Sequence, residues 1–238
     1  MSSPAIRFQN VAKRYGTTQV LSDVDLEVSQ AESFGLVGMN GAGKTTLVKC
    51  LLDFCALDDG CIEIFGLSQR LTEARRPLVF LPERLIPPYY LTGRDFLKYL
   101  LKLQSLPYRA DAVNDVLEAL DLDAVALTRP VRAYSKGMTQ KLGLAACFLA
   151  DKELLVFDEP MSGLDPKARA LLKSRLLSLR AAGRTLFLVS HALADVEEIC
   201  DRMAILHRGT IRFVGSPTDC CRQFGTDTLE QAYLKCIS

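Results

Sequence analysis
Apolar and polar positions alternate from Val24 to Val28, where Asp25 and Glu27 separate Val24, Leu26 and Val28. A period of two gathers the apolar set on one face and predicts a half-buried strand. Ser33–Val37 is a short apolar run that feeds a glycine-rich turn. From Gly43 the spacing becomes helical, with Leu47, Leu51 and Phe54 on one face. Strand, glycine turn and helix thus follow one another directly. Cys61–Phe65 and Leu78–Leu81 read as a further short strand pair.

From about Pro82 to Leu149 helical spacing takes over. Thr92 stands where it can cap a helix carrying Phe96, Leu97, Leu100 and Leu103, and a second helix is expected from about Arg109 to Leu120. Pro87, Pro88, Pro107 and Pro130 punctuate the segment. Alternation then returns: Leu154–Phe157, a helix after Pro166, Thr185–Val189, a helix near Asp195, then Ala204–Leu206 and Thr210–Val214 joined by a turn at Arg208-Gly209. The order predicts an α/β fold with a helical insertion and, beyond Ser216, a short helical tail.

Composition narrows the function classes. A chain of 238 residues, 49% hydrophobic and 24% charged, can bury a full core. The formal net charge is +1 and no Lys/Arg block stands out, so no nucleic-acid partner is expected. A membrane-spanning helix needs about 20 apolar residues, and the longest apolar stretch, Leu142–Ala150, covers less than half of that. The opening MSSPAIRF holds no hydrophobic signal segment, so a cytoplasmic protein is expected. The eight cysteines include no C-x-x-C pair, and only His191 and His207 could complete a metal site; reduced, mostly packed thiols are expected rather than ligands.

The chemistry begins at Gly38-Met39-Asn40-Gly41-Ala42-Gly43-Lys44-Thr45, which has the spacing of a phosphate-binding loop in the strand-to-helix context that loop requires. Glycines let backbone N–H groups approach phosphate, and the helix N-terminus adds positive potential. Lys44 is expected to reach the β- and γ-phosphates and the Thr45 hydroxyl to ligate Mg²⁺. Further on, the apolar run Leu154–Phe157 ends in Asp158-Glu159. By itself such a pair is ordinarily a solvated strand end. Beside a phosphate loop it offers Asp158 for Mg²⁺ and Glu159 as the general base that polarises the attacking water.

Between these two elements lies Tyr134-Ser135-Lys136-Gly137-Met138-Thr139-Gln140, and after them come Ser162-Gly163-Leu164-Asp165 and Ser190-His191. This order and spacing resemble the ABC ATPases over essentially the whole chain. The resemblance implies a P-loop NTPase core of ABC ATPase type with an N-terminal antiparallel β-subdomain and an inserted α-helical subdomain. Residues 1–82 would hold the β-subdomain and phosphate loop, 83–150 the helical subdomain and signature helix, 151–215 the second part of the core and 216–238 the tail. It further implies ATP and Mg²⁺ as bound groups. Gly38, Asn40, Gly41, Ala42, Gly43, Lys44, Thr45 and Thr46 would surround the phosphates, while Tyr15, 23 positions before Gly38, would stack on adenine. Thr45, Glu83 and Asp158 would hold the metal, and Glu159, His191 and Lys44 would act on the γ-phosphate.

In the same family Ser135, Lys136 and Gly137 open a helix whose N-terminus serves nucleotide on a second subunit, and Asp165 belongs to a loop between the two sites; capping of a helix before Pro166 explains Asp165 equally well. Two departures stand out. Glu83 occupies the usual Gln position, and Tyr134, Lys136 and Met138 replace residues of the usual Leu-Ser-Gly-Gly-Gln run, with Lys136 adding a cation near nucleotide. Such variants resemble ATPases paired with ABC-2-type exporter permeases. The implied protein is an ATP-driven motor that pairs with a second copy of itself and with a separate integral-membrane permease on the cytoplasmic face of the membrane. Arg84–Tyr90 either receives that permease or packs against the helical segment. The alternative is a soluble ABC ATPase acting on a macromolecular complex in repair, translation or cofactor assembly.

Overall fold
Strand β1 (Ile6–Tyr15) pairs antiparallel with β2 (Thr18–Val28) on one side and with β4 (Asp59–Ile64) on the other, and the two-residue β5 (Leu67–Ser68) closes the order β2-β1-β4-β5. The computed structural model describes residues 3–238; Met1 and Ser2, which open the segment MSSPAIRF, lie outside the described residues. The alternation of Val24, Leu26 and Val28 is realised in β2, all three being buried.

The second sheet has six strands in the order β10-β9-β3-β8-β7-β6. These are β3 (Ser33–Val37), β6 (Leu78–Leu81), β7 (Leu154–Asp158), β8 (Thr185–Ser190), β9 (Arg202–His207) and β10 (Thr210–Gly215). All neighbours run parallel except β9 and β10, which form a hairpin. Its turn residues Arg208 and Gly209 both have positive φ, 48° and 80°, as the expected two-residue turn requires.

The central strands are buried on both faces, so parity decides what each residue meets. Leu154 and Val156 join Phe34, Leu36, Phe187 and Val189 in a core shared with the antiparallel sheet and with helix α1 (Lys44–Leu51). Leu155 and Phe157 face the opposite core, built against α5 (Lys136–Leu149) and α6 (Pro166–Ala181). Asp158 has the parity of Leu154 and Val156, so the strand aims it at the side that carries α1.

Between β4 and β6 lies a short α2 (Thr72–Arg75), and between β6 and β7 lie α3 (Gly93–Leu103), α4 (Ala110–Ala119) and α5. Thr92 caps α3 as expected, accepting from the Asp95 N–H at 3.1 Å. After β8 come α7 (Leu193–Ile199) and, beyond β10, α8 (Pro217–Phe224) and α9 (Leu229–Ile237), the expected helical tail. Among the described residues no helix is long and apolar enough to cross a membrane.

Three expectations are corrected. Helix α1 ends at Leu51, and Phe54 is exposed with its ring against the edge of Phe80 instead of lying on the buried face. Cys61–Phe65 and Leu78–Leu81 are not a strand pair: the first segment falls mostly in β4 of the antiparallel sheet, the second is β6 of the parallel one. Leu103 is exposed while Phe96, Leu97 and Leu101 are buried, because the inward face of α3 drifts by one position before the helix ends.

Candidate functional site
The C-terminal ends of β3, β7 and β8 meet at the start of α1. There Asn40, Gly41, Gly43, Lys44, Thr45, Thr46, Glu83, Asp158, Glu159 and His191 line one cleft of about 470 Å³ together with Val20 and Met39. Gly43 has φ 111°, and a Cβ on it would stand 2.9 Å from the Val20 carbonyl, so conformation and packing both demand glycine. This twist delivers α1 with no side-chain cap on its N-terminus, leaving backbone donors for a ligand. Gly38 and Ala42 build the loop without lining the cleft: the Gly38 carbonyl accepts from Lys44 Nζ at 2.6 Å, and the Ala42 carbonyl accepts from Gly209 N–H at 3.0 Å.

Lys44 is 8% exposed and also donates to the Met39 carbonyl at 3.2 Å. Burial lowers its pKa, while Glu159, Asp158 and Glu83 pull in the other direction. Asp158, 4% exposed, is pushed up to about 6 by burial first and by the Glu83 and Glu159 carboxylates next, with Lys44 opposing. The position is held at a cost that a neutral side chain would relieve. The folded value lies above that of an unfolded aspartate, so the folded chain keeps the proton between about pH 4 and 6, and stability falls as pH rises through that window. Asp158→Asn is therefore expected to stabilise the ligand-free chain by about 1–3 kcal/mol above pH 7 and by nothing near pH 4. Thermal melts of both proteins at the two pH values measure this; an equal gain at both would refute it.

Glu159 leaves the strand with φ 50° while its N–H still donates to the Val189 carbonyl at 2.8 Å. That turn swings the carboxylate across to the end of β8. Oε1 accepts from the His191 N–H at 2.9 Å and lies 2.5 Å from His191 Nδ1, and Oε2 accepts from Ser190 Oγ at 3.3 Å. Asp158 and Glu159 thus face different neighbours, as expected of adjacent residues. Gln140 Nε2 donates to the Pro160 carbonyl at 3.0 Å and steadies the loop that follows. Ser190 and Gln140 carry roles the sequence analysis did not assign. Gln140 is 3% exposed, and a buried amide needs a hydrogen-bond partner; its place just ahead of the apolar run Leu142–Leu149 is the signal that could have found it.

The remaining site residues do not line this cleft, although Tyr15 adjoins Thr46 at its edge. Tyr15 ends β1, half exposed, with Thr46 and Cys55 beside its hydroxyl and the Lys13 ammonium 5.4 Å from its ring. Ser135 caps α5, accepting from Met138 N–H at 3.1 Å, and Asp165 caps α6, accepting from Ala168 N–H at 2.9 Å. Lys136 Nζ donates to Ser162 Oγ at 2.8 Å, and a Cβ on Gly137 would stand 2.7 Å from the Gly163 carbonyl. The signature segment is therefore packed on the 162–165 loop of its own chain.

The donor set fits a nucleotide with its metal: a buried cation and free helix N–H groups suit phosphate, and the Thr45 hydroxyl with Asp158 and Glu83 suits a hard divalent ion. Among the described residues no group of three or more His, Cys, Asp or Glu is placed to hold a metal ion.

The family model described as "ABC transporter" matches residues 21–162. An uncharacterized ABC transporter ATP-binding protein of Nostoc sp. is 41% identical over 82% of this chain, and the match spans 59% of that relative's length. The Nod factor export ATP-binding protein I of Rhizobium etli is 35% identical over 92% of this chain and 70% of its own. A solved structure described as the ATP binding subunit of an ABC transporter superposes with a TM-score of 0.89 at 30% identity, covering 98% of this chain and 99% of that one. Since the family model spans more than half of the residues and the solved subunit matches nearly end to end, the chain belongs to the ABC transporter family, among its ATP-binding proteins.

Proposed function
We propose that this chain binds and hydrolyses ATP, dimerises around it and drives a separate membrane permease, in the direction of export. The observation that carries the hydrolytic part is the convergence of Lys44, Asp158, Glu159 and His191 in one cleft. Lys44 and the α1 N-terminus bind the phosphates, Glu159 takes the proton of the attacking water, and His191 next to it contacts the γ-phosphate. Thr45, Asp158 and Glu83 would hold Mg²⁺, which neutralises phosphate charge when bound. Tyr15 packs on the adenine.

Ser135, Lys136 and Gly137 lie outside this cleft but at the N-terminus of a 14-residue helix. That supports their use on the nucleotide of a second copy, with Asp165 in the loop between the sites. Residues 83–150 then work as the helical half of the module against 1–82 and 151–215, with 216–238 as tail. The export direction rests on the name of the Rhizobium etli relative. The soluble alternative, an ATPase of repair, translation or cofactor assembly, draws no support from relatives named as transporter proteins.

The permease is proposed to dock at Arg84–Tyr90. Leu85 packs against the helical core, whereas Ile86, Tyr89 and Tyr90 are 74%, 69% and 70% exposed. Aromatic side chains exposed together suit an interface better than a solvated loop. Purifying tagged Glu159→Gln protein with Mg-ATP from detergent-solubilised native membranes tests this. A stoichiometric multi-span membrane protein is expected, and Tyr89→Ser with Tyr90→Ser should release it; a reproducible complex of soluble proteins alone would overturn the transporter reading.

A further inference from the structure
Helix α1 ends in a hook. Phe54 N–H donates to the Lys49 carbonyl at 2.8 Å and Asp53 N–H to the Cys50 carbonyl at 3.1 Å, with Asp53 in the left-handed region at φ 60°. This backward turn at a helix C-terminus returns the chain over the last helical residues, and it brings the Cys55 thiol to 3.4 Å from the Cys50 thiol. Cys50 is fully buried and Cys55 partly accessible. Cys55 lies beside the Tyr15 hydroxyl, as does Thr46. One sulfur pair therefore touches the helix that begins at Lys44 and the aromatic at the cleft's edge.

We propose that Cys50 and Cys55 are a peroxide-sensitive dithiol that closes to a reversible disulfide and weakens ATP binding through Tyr15. The functional half rests on the nucleotide reading given above; the chemical half does not. The accessible Cys55 meets the oxidant first: its thiolate attacks hydrogen peroxide, the O–O bond breaks, and a sulfenic acid and hydroxide result. The Cys50 sulfur then attacks the Cys55 sulfur, forming the S–S bond and expelling hydroxide, which leaves as water with the Cys50 proton. Two thiols and one peroxide thus give one disulfide and two waters. Burial pushes the Cys50 thiol up to about 12, with the neighbouring Cys55 adding to it, so Cys50 is not the sulfur that meets peroxide, and its proton passes to the departing hydroxide as the S–S bond forms. Closure draws Cys55 toward Cys50 and away from the Tyr15 hydroxyl. A thiol reductant restores both.

Trypsin releases residues 50–70 as one peptide, which also contains Cys61, so the test uses a Cys61→Ser background. That full chain is treated with graded hydrogen peroxide, alkylated and digested, and its ATP affinity is measured before oxidation, after it and after reduction. The expected result is loss of both alkylation sites with no oxygen gained, full recovery on reduction, and ATP affinity reduced about two- to tenfold, the size of one aromatic contact. Cys50→Ser should abolish the affinity change. Persistent double alkylation, or oxygen added at Cys55 while Cys50 still alkylates, overturns the dithiol. A disulfide that leaves ATP affinity unchanged overturns its coupling to Tyr15. If the reduced chain binds no ATP, the nucleotide reading fails instead, and the peptide result still decides the chemistry.

Discussion
Glu159→Gln is expected to lower steady-state ATP hydrolysis by about 10²–10⁴-fold while ATP binding persists. The substitution is close to isosteric where Glu159 sits. A Gln oxygen can still accept from the His191 N–H, its NH₂ can donate to Ser190 Oγ, and the backbone bond to Val189 is untouched. What disappears is the capacity to take a proton from water. The left-handed turn at Glu159 holds the carboxylate against the end of β8, so no neighbouring residue inherits that position. Phosphate release together with bound-nucleotide content reads this out. Unchanged turnover would remove Glu159 from the base role.

Lys44→Ala acts at the other end of the cleft. The ammonium is buried beneath the loop, on the Gly38 and Met39 carbonyls and near three carboxylates. In the proposed complex it gives charge-assisted hydrogen bonds to phosphate, each about 1.5–3 kcal/mol, so ATP affinity should fall about 10–150-fold. The same change leaves Asp158, Glu159 and Glu83 with less compensation, which adds to the penalty for an anionic ligand. Calorimetric titration with Mg-ATP measures the loss, and a melt of the ligand-free variant confirms that it folds. Undiminished affinity in a folded variant would count against the phosphate-loop assignment.

The two mutants bear on residues that the sequence already brings together. β3, the glycine loop and α1 were legible because a mostly apolar strand, a turn that demands glycine and a helical period follow without interruption. Asp158-Glu159 was legible as a strand end, and parity along β7 explains why the first acid is buried toward α1. Other features depend on contacts distant in sequence. β1 has no clean alternation because its pairing shifts register near Val11 and Lys13, and the strand was not singled out. Nothing local says that β4 and β6 belong to different sheets. Phe54 matches a helical face by spacing, yet the backward hook after Leu51 takes it out of the helix and closes the Cys50–Cys55 pair.

The signature segment shows the same limit. Ser135 is recognisable as a helix cap from sequence. The bond from Lys136 to Ser162 and the contact of Gly137 with the Gly163 carbonyl depend on the fold. They place the helix N-terminus on the loop that begins after Glu159, so a movement of either is felt by the other.

In the proposed complex ATP joins two chains, each cleft being completed by the α5 N-terminus of the other. Light scattering of Glu159→Gln protein, with nucleotide content measured on the same fractions, tests it most directly. A monomer mass is expected without nucleotide and twice that mass with Mg-ATP, holding one ATP per chain. A chain that saturates with ATP and keeps its monomer mass at every concentration would contradict it.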